Sequence, residues 1–190
     1  MLQSLPPTTG TPVDTPLPSH EQHAAQGAGY GALGFCVLTM SDSRTEETDT
    51  SGQSIRQAAA ALGHRIVRYA IVPDDPGQIR AQLQSALCDS DVDVVVTNGG
   101  TGISLRDNAY DTVVSLLDKR LDGFGELFRM LSYQEIGAAA MLSRAVAGIA
   151  QGKVLFSLPG STKAVRLGME KLILPQAGHL IFELRKHAGA

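Results

Sequence analysis

The chain has 190 residues, a net charge of −3, and a composition of 43% hydrophobic and 18% charged residues, which is ordinary for a globular protein. This length is enough for one α/β domain with its own core and some extra chain. The negative charge excludes bulk attraction to nucleic acid, no apolar run is long enough to span a membrane, and the N-terminus lacks the pattern of a secretory signal, so we expect a cytoplasmic protein.

The first 31 residues differ in character from the rest of the chain. They are rich in Pro, Thr, Gly, Gln and Ala and show no hydrophobic period. Such a segment buries too little apolar surface to offset the entropy of ordering it. We therefore predict a disordered tail over residues 1–31 and one folded domain over 32–190.

This interpretation of the tail is testable by deletion. We expect removal of residues 1–30 to leave the melting temperature and the assembly of the protein unchanged, because a disordered tail makes no contact with the core. Calorimetry and light scattering on the shortened chain check this. A melting temperature lower by several degrees would show that the tail packs on the domain.

The folded part begins with an apolar run at residues 35–40, which predicts a first strand. Ser41 and Asp42 follow at the carboxyl end of this strand. There they can line a ligand site, or they can act as turn formers and a helix N-cap, and the sequence leaves both interpretations open. The next segment has helical apolar spacing and ends at Gly63, a natural stop signal.

A second strand and helix follow. Residues 66–72 predict the strand, and Asp75 and Pro76 are suited to the N-cap and first position of a helix that ends at Cys88. Asp74 then has no capping role at the tip of the strand. It is either a solvated turn residue, which the sequence alone favours, or a carboxylate for a metal or substrate.

The most informative stretch is the β-branched run at 93–97 and the loop after it. The run predicts a buried parallel strand. Three glycines within residues 99–102 allow left-handed backbone angles and close approach of a ligand, and their N–H groups can form an anion-binding nest. Arg106 and Asp107 follow, a cation for phosphate and a carboxylate for a metal. These adjoining charges favour a phosphate cradle over a plain glycine-rich turn.

Two common phosphate loops are excluded at this position. A dinucleotide-binding fingerprint requires a glycine at position 105, which is occupied by Leu105. A Walker A loop requires a Gly-Lys-Ser/Thr ending at a spacing that the chain does not contain. The loop at 99–102 therefore belongs to another class.

The rest of the chain predicts a hairpin and further helices. The predicted elements are a helix at 110–117 with Asp107 as a candidate N-cap, a turn at 122–125, helical segments at 125–134 and 135–142, strands at 145–150 and 153–158, and helices at 161–172 and 174–186. The close spacing of the two strands indicates an antiparallel hairpin. An apolar stripe in the helix after the turn indicates core or subunit contact, and its members are Phe124, Leu127, Phe128 and Leu131.

A second small-residue loop, Pro159 to Lys163, lies between the last strand and a helix, where N–H groups can hold an anion and Lys163 adds a positive charge.

Alternating strands and helices followed by a hairpin predict an α/β fold, namely a three-layer α/β/α sandwich with a mostly parallel sheet plus an antiparallel hairpin. The two anion-binding loops would then lie at the same edge of the sheet.

Several of these motifs, taken together and in order, resemble the MoaB/Mog family of molybdenum-cofactor biosynthesis proteins over about residues 33–186. The motifs are Thr97-Asn98-Gly99-Gly100-Thr101-Gly102 with Arg106-Asp107, Gly123-Phe124-Gly125-Glu126 with Phe128-Arg129, Leu142-Ser143-Arg144-Ala145, and Leu158-Pro159-Gly160-Ser161-Thr162-Lys163-Ala164, with Ser41-Asp42, Asp49-x-Ser51-Gly52 and Pro73-Asp74 upstream. The runs 160–163 and 129–132 are more similar to the MoaB branch.

The resemblance implies a molybdopterin-binding fold, a cytosolic homotrimer or a hexamer of two trimers, and cooperation with other enzymes of the pathway. It implies an adenylyltransferase that moves AMP from MgATP to the terminal phosphate of molybdopterin. Asp74 and Asp107 match the catalytic aspartates and could hold Mg²⁺, without a choice between them. The residues that match the substrate and phosphate pocket are Ser41, Asp42, Gly99, Gly100, Thr101, Gly102, Arg106, Pro159, Gly160, Ser161 and Lys163. A non-catalytic molybdopterin carrier or scaffold is the alternative.

Overall fold

A computed structural model describes residues 31–104 and 107–186. The strands are β1 (Gly34–Met40), β2 (Arg65–Val72), β3 (Val94–Asn98), β4 (Lys119–Arg120), β5 (Val146–Ala150) and β6 (Lys153–Leu158). The α-helices are α1 (Thr50–Ala61), α2 (Pro76–Cys88), α3 (Ala109–Val114), α4 (Asp122–Ile136), α5 (Thr162–Gly168) and α6 (Leu174–Arg185). The predicted tail, apart from Gly31, lies outside the described residues, so its disorder stays a prediction.

The described strands form one six-stranded sheet in the order β2-β1-β3-β6-β5-β4. The β1–β2, β1–β3 and β3–β6 pairs are parallel, whereas β5 pairs antiparallel with both β6 and β4. This arrangement confirms the predicted mostly parallel sheet with an antiparallel hairpin.

Helices cover both faces of the sheet, because the central strands are apolar on both sides. Along β1, Val37 faces a core shared with α1, α4, α5 and α6, while Leu38 faces a second core shared with α2 and α3. Both side chains are fully buried. The predicted three-layer sandwich is therefore confirmed. No helix in the described ranges is both long and apolar enough to cross a bilayer.

Local signals set several helix ends as predicted. The Asp75 carboxylate accepts a hydrogen bond of 2.9 Å from the backbone N–H of Gln78, and Pro76 occupies the first turn of α2. Gly63 ends the turn after α1 with a φ of +80°, an angle that glycine adopts without strain.

The predicted turn at 122–125 is wrong, because these residues form the first turn of α4. A Cβ atom at Gly125 would lie 2.9 Å from the carbonyl oxygen of Ala145. The glycine is thus required by the close packing of α4 against the chain entering β5, and not by a turn. Strand β4, formed by two exposed residues, was not predicted, since its pairing with β5 leaves no pattern in the sequence.

Three further boundaries differ from the predictions. The helix predicted at 110–117 spans Ala109–Val114. Helix α4 continues to Ile136, and Gly137, with a φ of +62°, separates it from a 3₁₀ helix at Gly137–Leu142. The helices expected at 161–172 and 174–186 are joined by a π-helical turn at Met169–Ile173 and run on without a break.

Candidate functional site

The loops that carry the predicted site residues meet at one edge of the sheet. Backbone hydrogen bonds join the chain after β1 to β2, from the Ser41 N–H to the Val72 carbonyl at 2.8 Å, and the chain after β3 to β6, from the Gly99 N–H to the Leu158 carbonyl at 3.1 Å. The edge is formed by the carboxyl ends of the parallel strands, and strand order reverses beside β1, which is where open α/β sheets bind ligands. The prediction that both small-residue loops face one edge is confirmed.

Residues 99–104, called the glycine loop below, leave no room for a side chain at Gly99 and Gly100. Gly99 has a φ of +92°, and a Cβ atom there would lie 2.3 Å from the Met40 carbonyl oxygen. Gly100 has a φ of +60°, and its Cβ atom would lie 2.6 Å from the Asp74 carboxylate. The predicted left-handed angles are therefore confirmed at these two positions. The close neighbours are protein atoms, and approach of a ligand to the loop stays a prediction.

Fewer backbone N–H groups of this loop are open to an anion than the sequence predicts. The Gly99 N–H is already bonded to β6, and the N–H groups of Gly102 and Ser104 donate to the Asp107 carboxylate. Within residues 31–104 and 107–186, the loop N–H groups of Gly100, Thr101 and Ile103 have no assigned acceptor. A bound anion would use these groups or compete with Asp107 for the others.

Asp107 does not cap α3 as predicted, because Asn108 occupies the N-cap position. The Asp107 carboxylate turns back onto the glycine loop and accepts a 2.8 Å hydrogen bond from the Ser104 N–H. A hydrogen bond from the Ser104 side chain, aided by backbone N–H groups and the charge of Arg144, outweighs burial and lowers the pKa of Asp107. The group is thus an anion at neutral pH, held at the edge of the loop.

Asp74 has a capping role that the sequence did not show. Its Oδ1 atom accepts a 3.1 Å hydrogen bond from the backbone N–H of Asn108, so it caps α3 from the end of β2. Burial, together with the nearby charges of Asp107 and Asp42, raises its pKa despite the capping bonds. The two predicted catalytic carboxylates are therefore close enough to repel each other, on either side of the glycine loop.

Ser41 and Asp42 serve the local turn and the link between strands. The Ser41 hydroxyl oxygen accepts hydrogen bonds from the backbone N–H groups of Ser43 at 3.3 Å and Arg44 at 3.2 Å. The Asp42 carboxylate accepts a 3.0 Å bond from the Asp74 N–H. Turn formation is thus confirmed. Asp42 also contacts Asp74, and the predicted place of both residues in the pocket stays a prediction.

The second loop, Pro159 to Lys163, touches the first. A Cβ atom on Gly160 would lie 3.2 Å from the Gly99 Cα atom. The Gly160 carbonyl accepts hydrogen bonds from the Arg44 guanidinium and the Ser51 hydroxyl, both at 2.8 Å. Ser161 is the N-cap of α5, its hydroxyl oxygen accepting from the Ala164 N–H. Loops from three strand ends are thus fixed against one another.

Lys163 lies on the outer side of this second loop. It is exposed and lines a cleft of about 270 Å³ between α5 and the end of α4. The residues lining this cleft are Ser132, Glu135, Ile136, Ser143, Pro159, Ser161, Thr162, Lys163, Ala164 and Leu167. Four residues of the second loop thus face this cleft, next to the glycine loop.

Sequence reasoning missed a buried carboxylate beneath both loops. Asp49, fully buried, accepts hydrogen bonds from the Thr39 hydroxyl at 2.5 Å, the Tyr69 hydroxyl at 2.8 Å and the Gly52 N–H at 3.0 Å, and pairs with Arg44 at 3.2 Å. Burial acts to raise the pKa of Asp49, but these hydrogen bonds outweigh it and the pKa is lowered. The motifs of the family resemblance include Asp49, but the sequence assigned it no role.

A second missed residue is Arg144, which sits between the 3₁₀ helix and β5. Its guanidinium donates to the carbonyl oxygens of Thr101 at 3.0 Å and Asp107 at 3.1 Å. Arg144 belongs to the motif Leu142-Ser143-Arg144-Ala145, which is part of the family resemblance, but the sequence assigned it no role. Arg106, in contrast, falls outside the described residues, and its role as a phosphate ligand stays a prediction.

The carboxylates at the site suit Mg²⁺, which shares its ligand shell with phosphate and water, better than a metal held entirely by protein side chains. Among residues 31–104 and 107–186, no group of three or more His, Cys, Asp or Glu side chains is arranged to hold a metal. Mg²⁺ commonly uses one or two carboxylates and completes its shell with phosphate oxygens and water. Asp74 and Asp107 provide such a pair, and their mutual repulsion is what a cation would relieve.

Comparisons with known proteins agree with this arrangement. The model of a family described as a probable molybdopterin binding domain matches residues 36–179. A molybdenum cofactor biosynthesis protein B from Bacillus cereus is 53% identical over 151 residues, covering 79% of this chain and 89% of the relative. Its counterpart from Bacillus subtilis is 46% identical over the same shares of both chains.

Solved structures give the same result. A crystal structure of a molybdenum cofactor biosynthesis protein B matches with a TM-score of 0.81 and 51% identity, over 84% of this chain and 99% of the other. The tungsten cofactor synthesizing protein MoaB from Pyrococcus furiosus matches with a TM-score of 0.74 and 42% identity, over 81% of this chain and 98% of the other.

Proposed function

The chain belongs to the molybdenum cofactor biosynthesis protein B family, and from this premise we propose that it is a molybdopterin adenylyltransferase of that pathway. The observation that carries the proposal is the placement of Asp74 and Asp107 on either side of the glycine loop, at the ligand-binding edge of the sheet. A carrier that only binds molybdopterin would not need two carboxylates beside a phosphate cradle, where they repel an anionic ligand unless a cation is present.

The proposed reaction is a phosphoryl-type substitution at the α-phosphorus of ATP. An oxygen of the terminal phosphate of molybdopterin forms a bond to this phosphorus, and the bond between the α-phosphorus and the bridging oxygen breaks. The products are adenylylated molybdopterin and pyrophosphate, which carries away the electron pair of the broken bond. Such reactions ask the protein mainly to align the two substrates and to offset negative charge.

The residues at the site have the properties that this reaction requires. Asp107 is ionised and fixed to the loop by backbone N–H groups, so it presents a negative oxygen in a defined place. Asp74 is tied to α3 and presents the second carboxylate. Mg²⁺, when bound by these groups, would neutralise charge on the ATP phosphates. The free N–H groups of Gly100 and Thr101 would hold a phosphate oxygen.

The remaining predicted pocket residues complete this proposal. Asp42 contacts Asp74, and Ser41 precedes Asp42 at the end of β1. The segment from Pro159 to Lys163 borders both the glycine loop and the neighbouring cleft. Arg106 would add positive charge toward the leaving pyrophosphate. We place the reaction in the cytoplasm, in keeping with the sequence prediction.

The direct test is to incubate the purified protein with molybdopterin, ATP and Mg²⁺ and to look for adenylylated molybdopterin by mass spectrometry. The expected result is a product heavier than molybdopterin by one AMP group, with pyrophosphate formed in equal amount. Omission of Mg²⁺ or ATP should abolish it. Molybdopterin that binds and is returned unchanged would refute the enzyme and favour the carrier.

We also propose that the protein assembles as a homotrimer, alone or paired as a hexamer. The support is an unusually apolar exposed surface on α4 and the 3₁₀ helix, where water would otherwise contact many large side chains. Its members, each at least 47% exposed, are Leu127, Met130, Tyr133, Ile136, Met141 and Leu142. The predicted stripe is thus divided, since Phe124 and Phe128 lie in the core and Leu127 lies on this surface.

Substitution on this surface tests the assembly. We expect Met130→Glu to convert the trimer to monomers, because a carboxylate buried between subunits is strongly unfavourable. Light scattering measures the mass of each form. The matched control is Leu62→Glu at the end of α1, where an equally exposed leucine should be replaced without loss of assembly. An unchanged mass for Met130→Glu would place the subunit contact elsewhere.

A further inference from the structure

Arg144 contacts the glycine loop from a different part of the chain. It precedes β5, in the half of the sheet that contains the antiparallel strands. Its Nε atom donates to the Thr101 carbonyl at 3.0 Å, and its Nη2 atom donates to the Asp107 carbonyl at 3.1 Å. One rigid group therefore links the chain near the start of the glycine loop to the residue that carries the proposed catalytic carboxylate.

Two more contacts fix the orientation of the guanidinium. Its central carbon lies 4.6 Å from the centre of the Tyr110 ring, and Nη1 donates to the Asp111 carboxylate at 3.1 Å. Tyr110 and Asp111 both belong to α3, whose first turn follows Asp107 directly. The side chain is thus held by the helix on one side and by the loop on the other.

The pairing with Asp111 does not account for this arrangement. The Asp111 side chain is 71% exposed, and ion pairs of that kind contribute little to stability. Hydrogen bonds from a charged donor to backbone carbonyls are stronger and more directional. The planar fork of arginine can serve two carbonyls and a carboxylate at once, which the single ammonium group of lysine cannot do.

We propose that Arg144 is a positioning residue that sets the place of the Asp107 carboxylate by fixing the carbonyl oxygens of Thr101 and Asp107. This inference rests on the proposed adenylyl transfer for its kinetic part. Arg144 touches no reacting group and acts through Asp107. The cation also lies near enough to favour the ionised form of Asp107, which accords with the geometry.

The test compares Arg144→Ala, Arg144→Lys and the wild type in adenylyl transfer and in ATP binding with and without Mg²⁺. We expect kcat to fall by about 10–100-fold in Arg144→Ala, the range seen when a residue that orients a ligand-binding group is removed. KM for molybdopterin should change by less than about 3-fold. Arg144→Lys should restore little, because the two carbonyl contacts need the fork geometry.

Chemical rescue separates positioning from damage to the fold. Millimolar guanidinium chloride should restore part of the lost kcat in Arg144→Ala, relative to equal sodium chloride, and should restore none in Asp107→Asn. The matched control is Arg80→Ala, which removes an exposed arginine that donates to Ser115 at 2.8 Å at the end of α3. Its kcat should stay at the wild-type value. Equal kcat for wild type and Arg144→Ala would overturn the proposal.

Equilibrium binding gives a result that does not depend on turnover. The wild type should bind ATP more tightly with Mg²⁺ than without it, and Arg144→Ala and Arg144→Lys should lose about 10-fold or more of that gain. If the wild type binds MgATP and forms no product, the adenylyltransferase proposal fails. The positioning role of Arg144 is then tested by whether its variants lose the Mg²⁺-dependent gain in ATP affinity. An unchanged gain in both variants refutes the positioning role, and absence of MgATP binding by the wild type refutes both proposals.

Discussion

Asp107→Asn should reduce adenylyl transfer by about 10³-fold or more while leaving the fold intact. A large loss is expected because removal of a single preorganised hydrogen-bond donor from an active site already costs about 10²–10³-fold in rate, and Asp107 would supply a full charge to the metal site. The fold should survive because asparagine keeps an oxygen that can accept the Ser104 N–H, and the side chain lies at the edge of the glycine loop. Product formation followed by mass spectrometry measures the first effect, and calorimetry the second.

A variant at Asp74 shows how a loss of activity differs from a loss of stability. Asp74 caps α3 through the Asn108 N–H, so Asp74→Ala should lower both activity and the melting temperature, and its effect on rate is harder to interpret. Asp107→Asn should lower activity alone. Turnover equal to that of the wild type in Asp107→Asn would remove this carboxylate from the mechanism, and loss of the folded state would assign it a structural role instead.

Gly52→Ala should destabilise the protein by about 3 kcal/mol, which lowers the melting temperature by about 6–12 °C for a chain of this size. A Cβ atom on Gly52 would lie 2.1 Å from the Asp49 carboxylate and 2.8 Å from the Thr39 hydroxyl. Neither group can move without breaking the buried hydrogen bonds that hold Asp49 as an anion. Loss of such a network leaves a charge buried without partners, which is strongly unfavourable.

The same substitution should also affect the site, because Asp49 pairs with Arg44, which donates to the Gly160 carbonyl. The matched control is Gly123→Ala, a helical glycine in α4 whose Cβ atom would meet no neighbour within 4 Å. There alanine should be neutral or raise stability by about 0.5 kcal/mol. Equal melting temperatures for the two variants would show that the Asp49 network does not constrain the fold.

Much of the architecture was predictable because it depends on local patterns. The β-branched run of β3 can be buried only between other strands, and Asp75 followed by Pro76 specifies a helix start by its own geometry. The glycine loop was identified for the same reason, since clustered glycines at a strand end indicate close backbone approach. Asp107 was found because it follows this loop in the chain.

Other features followed from packing between distant segments. Gly125 was predicted to be a turn residue, yet it lies inside α4. It is a glycine because the Ala145 carbonyl leaves no room for a side chain. The sequence alone favoured a solvated turn residue at Asp74. In the structure Asp74 caps α3 through the N–H of Asn108, which lies 34 positions later in the chain. In each case the residue type was informative, but its partner comes from another element.

The sequence by itself determined the order of strands and helices, the glycine loop and the presence of two acids at strand ends, because these depend on neighbours in the chain. Only the tertiary structure decided that Asp49 lies charged beneath the site and that Arg144 reaches the loop that carries Asp107. The physical reason is that a buried charge is tolerated only where several donors converge on it. Those donors come from β1, β2, α1 and the loop after β1, which the fold alone brings together.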